Sequence, residues 1–521
     1  MSIFIFIIWV CIIPSSLIHA DDLRAPRGFL VSCGSTERTD ISGLKYIPDQ
    51  SFISVGNSTT VKTNNTNNNN DHQLFPILSK LRYFPDKSAR KYCYTFQVIQ
   101  GAKYLVRTTY YYGNFDGRQD PPVFDQIIDG TRWSVVDTAA EYGKGLASYY
   151  ELVVISHGKV LSVCLARNER TDGSSNPFIS AIEVMFLDNT LYKSVDLHKY
   201  VLSTVARHTF GNDDKNGDEA DFISYPDDEY NRMWQQFKDS NPTVKCQSKI
   251  TPSDFWNAPP VQALSSAITT SRGKTLLIKW PPLPLPESNY HISLYFQDNR
   301  TPSSYSWRMF KILINGDTFY NKLNVTTNGV NVYAPQWPLS GQTQITLVPD
   351  DRDPVGPILN AAEMFQLLPL GGRTSDKDVM AMDDLDRSLN NPPSDWNGDP
   401  CLPQKNSWSG VTCTQLNGFA RVETMNLTGL GLTGSLSTSI RDLTAVVHLW
   451  LGHNKLSGTL PNMSTMKMLE TLHLENNQFE GSIPESLGSL PRIREIYLQN
   501  NKFKGGIPDS LKTRQGLTIR L

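Results

Sequence analysis

The sequence lacks three features that would place it at once in a large functional class: a charge excess, a catalytic signature and an internal apolar run. Its 49 Lys and Arg residues nearly balance its 51 Asp and Glu residues, so the formal net charge is −2. This balance predicts no binding to nucleic acid or to an anionic membrane surface. Beyond the N-terminal segment, no apolar run reaches the length of eighteen or more residues that a membrane-spanning helix requires, so we predict no span within the chain.

Motifs for catalysis, metals and cofactors are also missing. The chain has no His-Glu-x-x-His helix, no Gly-x-Ser-x-Gly elbow and no kinase signature. The acidic stretch 213–221 fails as a calcium loop, because its glycine is at the fourth position and its twelfth residue is Tyr225. The glycine pattern at 429–434 matches a dinucleotide-binding motif in letters but falls inside the repeat described below. We therefore predict that the protein is not an enzyme and that it binds no metal ion or cofactor.

The N-terminus, residues 1–20, is an aliphatic run followed by Pro14 and a small terminal residue, which is typical of a secretory signal peptide. Its removal leaves six cysteines, an even number that suits an oxidising compartment: Cys33, Cys93, Cys164, Cys246, Cys401 and Cys413. The last two are close in sequence, which favours a local bridge. The pairing of the other four stays open.

Six Asn-x-Ser/Thr sequons occur, and a secreted chain can be glycosylated at any that is exposed. They are Asn57, Asn64, Asn299, Asn324, Asn426 and Asn462. The sequence therefore predicts a secreted glycoprotein. Continuation beyond Leu521 into a transmembrane segment would make it a cell-surface protein instead.

Residues 21–375 consist largely of short alternating or apolar runs separated by Gly, Pro, Asn and Asp. Such spacing predicts an all-β sandwich architecture. The length is too great for one sandwich, so we predict two β lobes, at about 28–200 and 205–370, that join between Tyr192 and Pro242. The fold class is therefore mainly β, with two sandwich lobes before a repeat solenoid.

Leucine-rich repeats form residues 421–521, where starts at Val422, Val446, Leu469 and Ile493 are spaced by 23 or 24 residues. Asparagines 454, 477 and 501 occupy the ladder position of three successive coils. The pattern predicts four repeats and the opening strand of a fifth. Residues 376–420 form a linker and a cap, in which 394–413 closes the open end of the solenoid.

One position of each repeat lies between two core leucines and therefore points to the concave face of the solenoid. We name these four residues the concave column: Asn426, Trp450, His473 and Tyr497. Trp and Tyr are typical of interface hot spots. Trp450, His473 and Tyr497 are therefore candidate contact residues for a partner.

Several segments together resemble the malectin-like domain of plant receptor-like proteins and receptor kinases, including symbiosis-receptor-like kinases. They are the Leu-Arg-Tyr-Phe-Pro sequence at 81–85, the Tyr-rich strand and turn at 103–117, the segments 177–183, 225–234, 290–296 and 359–363, and Gly-Asp-Pro-Cys at 398–401. The last resembles the junction that links this domain to leucine-rich repeats. The resemblance implies a Cys401–Cys413 bridge and a tandem malectin-like ectodomain over 21–375.

The resemblance also implies a non-catalytic receptor-like function in which the chain binds a carbohydrate or protein ligand, or a partner receptor-kinase ectodomain. Malectin binds a glucose disaccharide through aromatic residues, and Tyr110, Tyr111 and Tyr112 form the nearest aromatic cluster here. In an alternating strand Tyr110 and Tyr112 share one face, so at least one of the three is core. A sensor of glucan or other cell-wall carbohydrate is thus one alternative. A carbohydrate-active enzyme is another, although no carboxylate pair stands out.

Overall fold

The computed structural model describes residues 27–61, 76–211, 222–246, 255–301 and 308–521. The predicted signal peptide, the sequon at Asn64 and the acidic stretch 213–221 lie outside these ranges. Within them the chain is mainly β, which confirms the predicted fold class of two sandwich lobes and a solenoid.

The first lobe is a sandwich built on an antiparallel sheet in the order β1-β13-β7-β10, which packs on a second sheet in the order β6-β11-β8-β9. The elements are β1 (Gly28–Ser32), β2 (Thr39–Ile41), β3 (Leu44–Pro48), β4 (Asn57–Thr60), β5 (Lys80–Tyr83), β6 (Tyr92–Gln97), β7 (Lys103–Tyr110), β8 (Phe124–Ile128), β9 (Thr131–Val136), α1 (Ala139–Tyr142), β10 (Ser148–Ile155), β11 (Val160–Arg167), β12 (Phe178–Ile179) and β13 (Ala181–Leu187). Alternation sends Tyr104, Val106 and Tyr110 of β7 into the sandwich core, and Leu105 to the opposite face of the sheet.

The second lobe repeats this arrangement, with the sheet β19-β24-β21-β22 packed on β26-β20-β23. The elements are β14 (Tyr200–Phe210), β15 (Phe222–Ile223), β16 (Trp234–Phe237), β17 (Thr243–Lys245), β18 (Ser266–Thr269), β19 (Leu276–Lys279), β20 (Leu285–Phe296), β21 (Arg308–Ile314), β22 (Asp317–Val325), β23 (Val330–Gly341), β24 (Gln344–Pro349), β25 (Ile358–Leu359) and β26 (Ala361–Pro369). Its core packs Ile292, Leu294 and Phe296 of β20 with Ile312 and Leu347 of the facing sheet.

Strand β14 joins the two lobes into one sheet. On one side it pairs with β10 at Leu152 and Val153, and on the other it runs antiparallel to β26 from Tyr200 to Thr209. The described part of this sheet therefore runs from β2 in the first lobe to β23 in the second. One apolar cluster on its outer face contains residues of both lobes, among them Leu105, Leu202 and Phe365.

A row of charged side chains of alternating sign is buried on the same outer face. It is formed by Glu183, Arg107, Glu151, Arg207 and Glu363, each on its own strand. Arg107 lies 2.7 Å from Glu183 and 2.8 Å from Glu151, and Arg207 lies 2.5 Å from Glu151 and 2.7 Å from Glu363. The row thus crosses from the first lobe to the second through β14.

The repeats form a stack of coils with short strands after helix α2. The elements are α2 (Asp376–Ser388), β27 (Leu389–Asn390), β28 (Val411–Leu416), β29 (Phe419–Asn426), β30 (Thr433–Ser435), β31 (His448–Trp450), β32 (Lys455–Thr459), β33 (Thr471–His473), β34 (Gln478–Gly481), β35 (Glu495–Tyr497), β36 (Lys502–Phe503), α3 (Asp509–Lys512) and β37 (Thr518–Arg520). Strands β29, β31, β33, β35 and β37 pair in parallel and form the concave sheet.

The predicted asparagine ladder is confirmed by the hydrogen bonds of the coil turns. The side-chain amide of Asn477 donates to the carbonyl oxygens of Leu451 and Leu474, and its side-chain oxygen accepts the N–H of Leu456. Asn454 and Asn501 make the corresponding bonds in their coils. Each asparagine thereby satisfies backbone groups that the narrow turn would otherwise leave unpaired.

The segment 394–413 lies between the first lobe and the solenoid, and it contacts both. Trp396 and Trp408 stack with ring centroids 5.1 Å apart inside the core of the solenoid, and a disulfide joins Cys401 to Cys413. On its other side, the buried ammonium of Lys91 donates to the carbonyl oxygens of Asp399 and Leu402. Burial lowers the pKa of this ammonium to about 8. The cap is therefore also a connector.

Candidate recognition surfaces

The concave column is a continuous stack of rings. The register of the parallel strands places Asn426, Trp450, His473 and Tyr497 side by side in successive coils. The rings of His473 and Tyr497 stack at 4.4 Å and 11°, and those of Trp450 and His473 at 5.8 Å and 23°. Since strands of a sheet are spaced by about 4.8 Å, one flat side chain per coil produces such a stack without strain.

Arg520 extends the column by one coil. It pairs with Tyr497 in the concave sheet, and its guanidinium lies 4.6 Å from the centre of the Tyr497 ring. The repeat pattern predicted that residues 517–521 open a fifth coil, but Arg520 was not among the candidate contact residues. Its position between two apolar residues of that coil was the available signal.

Polar side chains beside the stack contact the polar atoms of its rings. The indole N–H of Trp450 donates to Thr471 Oγ1 at 2.7 Å, and His473 Nε2 lies 3.2 Å from Glu495 Oε2. The hydroxyl of Tyr497 also donates to the Glu495 carboxylate. This hydrogen bond, together with His473, lowers the pKa of Glu495. The surface therefore combines flat rings, one carboxylate and one guanidinium, all at least partly exposed.

The three tyrosines at the end of β7 do not form a ligand surface together. Tyr110 and Tyr112 are buried, with 0% and 1% of their surfaces exposed, so neither ring is available to stack on a sugar. Tyr110 packs edge-on against Phe124 and Phe178 in the sandwich core. For these two residues the predicted sugar contact is wrong, because both face the core. Tyr111, the first residue after β7, is half-buried and packs against the apolar clusters on both sides of the sheet.

A polar cleft of about 720 Å³ lies near this end of the first lobe. Gln50, Asn57, Arg82 and Tyr83 are among its lining residues, and the half-buried Tyr83 ring packs against Phe115 at 5.4 Å. Arg82 is held by a bidentate pair with the buried Asp49 at 2.6 and 2.7 Å. The sequence did not predict this cleft, because the segments that line it are brought together only by the folded sandwich.

The six cysteines from Cys33 onward do not all pair. A second disulfide joins Cys93 to Cys164 across β6 and β11, whereas Cys33 and Cys246 are free. Cys33 is buried in the first lobe and Cys246 is partly buried in the second. Burial raises the pKa of both thiols.

The sequons within the described ranges lie at or near the surface. Asn57, Asn324, Asn426 and Asn462 are exposed, and Asn299 is half-buried. Among the described residues no group of three or more His, Cys, Asp or Glu side chains is arranged to hold a metal ion. No helix in the part of the chain that the structure describes is long and apolar enough to cross a membrane.

Comparison with protein families identifies the sandwich lobes. The model of the malectin-like domain matches residues 31–367, and the leucine-rich-repeat model matches 468–490 and 492–513. This chain belongs to the malectin-like domain family. Its malectin-like domain is thus followed by leucine-rich repeats, as the resemblance at the sequence level implied.

Relatives of this chain include plant proteins named as receptor-like kinases. Two leucine-rich-repeat receptor-like serine/threonine-protein kinases of Arabidopsis thaliana are each 30% identical, over 431 and 488 residues that cover 80% and 88% of this malectin-like chain. The matches cover 47% and 49% of those kinases. The chain therefore spans about half the length of the curated relatives it matches.

Solved structures of plant proteins share the fold of the sandwich lobes. A crystal structure of plant peptide RALF23 in complex with FER and LLG2 matches 66% of this chain and 96% of its own, with a TM-score of 0.52 and 17% identity. The ANX2 ectodomain from Arabidopsis thaliana matches 66% and 97%, with a TM-score of 0.52 and 16% identity. At these identities the likeness is one of fold, so the malectin-like chain has the fold of a receptor ectodomain.

Proposed function

We propose that this chain is an extracellular, non-catalytic recognition module that binds a partner protein through its concave column. The observation that carries the proposal is the stack of Trp450, His473 and Tyr497, with Arg520 at its end. Rigid aromatic side chains and Arg are the residues that dominate binding energy in protein interfaces. Here they are aligned on one face, and hydrogen bonds hold Trp450 and Tyr497 in place before any partner arrives, which lowers the entropy cost of binding.

A receptor-kinase ectodomain is the proposed class of partner. The relatives that match this chain are named as receptor kinases, and one solved relative is a complex with a peptide and a second protein. We propose three parts for the chain. They are a malectin-like domain at 21–375, a connector at 376–420, and leucine-rich repeats at 421–521 that carry the contact surface. We place the protein outside the cell, either secreted or at the cell surface.

The test is capture of purified receptor-kinase ectodomains, each with leucine-rich repeats, by the secreted chain. We expect the double variant Trp450→Ala and Tyr497→Ala to lose capture of any ectodomain that the natural chain binds, because both ends of the ring stack are removed. Phe419→Ala is the matched control, since Phe419 is 42% exposed on the same solenoid but outside the column. Capture that survives the double variant would reject the column as the contact surface.

Carbohydrate binding is a second candidate function, and the cleft beside Tyr83 favours it. The cleft offers amides, hydroxyls, a guanidinium and one aromatic ring, which is the chemistry that neutral sugars require. A glycan on Asn57, which lines the cleft, would compete for the same space. Calorimetry with glucan oligosaccharides separates this function from protein capture.

A further inference from the structure

The two ends of the concave column differ in what covers the outermost ring. Toward the C-terminus the guanidinium of Arg520 covers the last ring, that of Tyr497. Toward the cap the first ring is Trp450, and His473 stacks on only one of its faces. His448, two residues earlier in the same strand, lies beside Trp450 at 5.3 Å and a tilt of 38°. Among the described residues no ring of the adjoining coil stacks on the face directed toward the cap.

Asn426 occupies that adjoining coil. It pairs with Trp450 in the concave sheet, so both side chains project to the same side from neighbouring strands. Asn426 is exposed, and its side-chain oxygen accepts the N–H of Thr428 at 3.2 Å. This bond uses the amide oxygen, so the amide nitrogen, which is the atom that a glycan joins, takes no part in it. Asn426, Leu427 and Thr428 form a sequon.

We propose that Asn426 carries an N-linked glycan whose first N-acetylglucosamine stacks on the cap-side face of Trp450. The C–H groups on one face of a pyranose ring pack against an aromatic ring in the way that a neighbouring side chain does. The sugar takes the place in the stack that the first coil leaves without a ring. The inference rests on the proposed extracellular location, because N-glycosylation occurs only in the secretory route.

The glycan has a direct consequence for the proposed function. The glycan covers the end of the concave column that lies nearest the cap. The other end, with Tyr497 and Arg520, stays accessible to a partner. A protein partner then meets a surface that is part sugar and part protein, with its centre on His473 and Tyr497.

Hydroxyl-radical footprinting of the secreted chain, read by mass spectrometry, tests the proposal without a partner. We expect glycopeptides to show Asn426 occupied, and Asn426→Gln to raise the oxidation of Trp450 several-fold because the ring face becomes accessible to solvent. Thr428→Ala removes the glycan while keeping Asn426, so it should give the same increase. Asn462→Gln is the matched control, since Asn462 is exposed and makes the same local turn but lies outside the concave sheet.

Two results would overturn the proposal: an unoccupied Asn426, or an occupied Asn426 with Trp450 oxidation unchanged in both variants. Oxidation of the buried Trp408 reports folding, and it should stay low in all four proteins. Partner capture is not measured, so failure here is distinct from failure of the proposed function.

Discussion

Arg207 is the residue on which the buried charge row depends. It is the cation shared by Glu151 of the first lobe and Glu363 of the second. A β-bulge between Thr204 and Ala206 turns Arg207 to the face that carries both carboxylates. Burial alone would raise the pKa of Glu151 and Glu363. The surrounding guanidinium groups and hydrogen bonds together outweigh burial, with Arg207 and Arg107 acting on Glu151 and Arg207 and Arg232 on Glu363, so the pKa of both carboxylates lies below the usual range.

Replacing Arg207 with Met should therefore destabilise the malectin-like domain by about 3–5 kcal/mol, because two buried carboxylates lose their shared cation. The penalty should shrink as the pH falls from 7 toward 5. Without Arg207 the pKa of both carboxylates rises relative to the natural protein, so the folded variant takes up protons at a higher pH and the stability difference between the two proteins decreases as the pH falls. Urea unfolding at several pH values measures both effects.

Arg170→Met is the control for this change. Arg170 pairs with Asp137 at the surface, where its side chain is 62% exposed, and such pairs contribute about 0–1 kcal/mol. Equal losses in the two variants would show that burial of the row does not matter.

At the scale of elements, the cap is held to the first lobe by a close backbone approach. Gly398 has a φ of +68°, and a Cβ at this position would lie 3.0 Å from Cys93 Sγ and 3.3 Å from Cys164 Sγ. Only glycine gives the cap this contact with the disulfide of the lobe. The Asp399 carboxylate then accepts the backbone N–H groups of Cys401 and Leu402, which fixes the next turn.

Gly398→Ala should loosen the cap from the first lobe while the solenoid stays folded. We expect faster hydrogen exchange across 394–413 and a loss of about 1–3 kcal/mol, the usual cost of overpacking a tight contact. Gly418→Ala is a matched control, because Gly418 has a φ of +81° but open space around it. Gly418→Ala introduces the strain of a positive φ without a steric clash. Equal effects in the two variants would therefore argue against a role for the contact between Gly398 and the Cys93–Cys164 disulfide.

At the scale of the whole molecule, the two lobes share one sheet and one outer apolar cluster. Strand β14 makes pairs with both lobes, so neither sheet is complete without it. The two free thiols report on the two halves, with Cys33 in the first lobe and Cys246 in the second. Burial and a raised pKa make both slow to react in the folded protein.

The lobes should therefore unfold as one cooperative unit. We expect Cys33 and Cys246 to become reactive toward a thiol reagent at the same urea concentration, because opening either lobe breaks the sheet of the other. Mass spectrometry of labelled peptides gives the two midpoints separately. Midpoints that differ beyond error would mean that the lobes unfold independently despite the shared strand.

The sequence by itself determined the solenoid and its concave column. Each coil contacts only its neighbours, so a period of 23 or 24 residues fixes which side chains align, and Trp450, His473 and Tyr497 follow from the period alone. The two-lobe β architecture and the location of the cap were also predictable, from strand spacing and from local composition.

Only the tertiary structure decided the features that depend on pairing between distant segments. Alternation continued past the end of β7 predicts that Tyr110 and Tyr112 share a face, but which face is the core is set by the sheet packed against it. The cleft at Tyr83, the row through Arg207 and the contact of Gly398 with the Cys93–Cys164 disulfide each join segments far apart in the chain. Local sequence patterns do not predict such contacts, because the register of the sheets and the packing of the lobes depend on the whole fold.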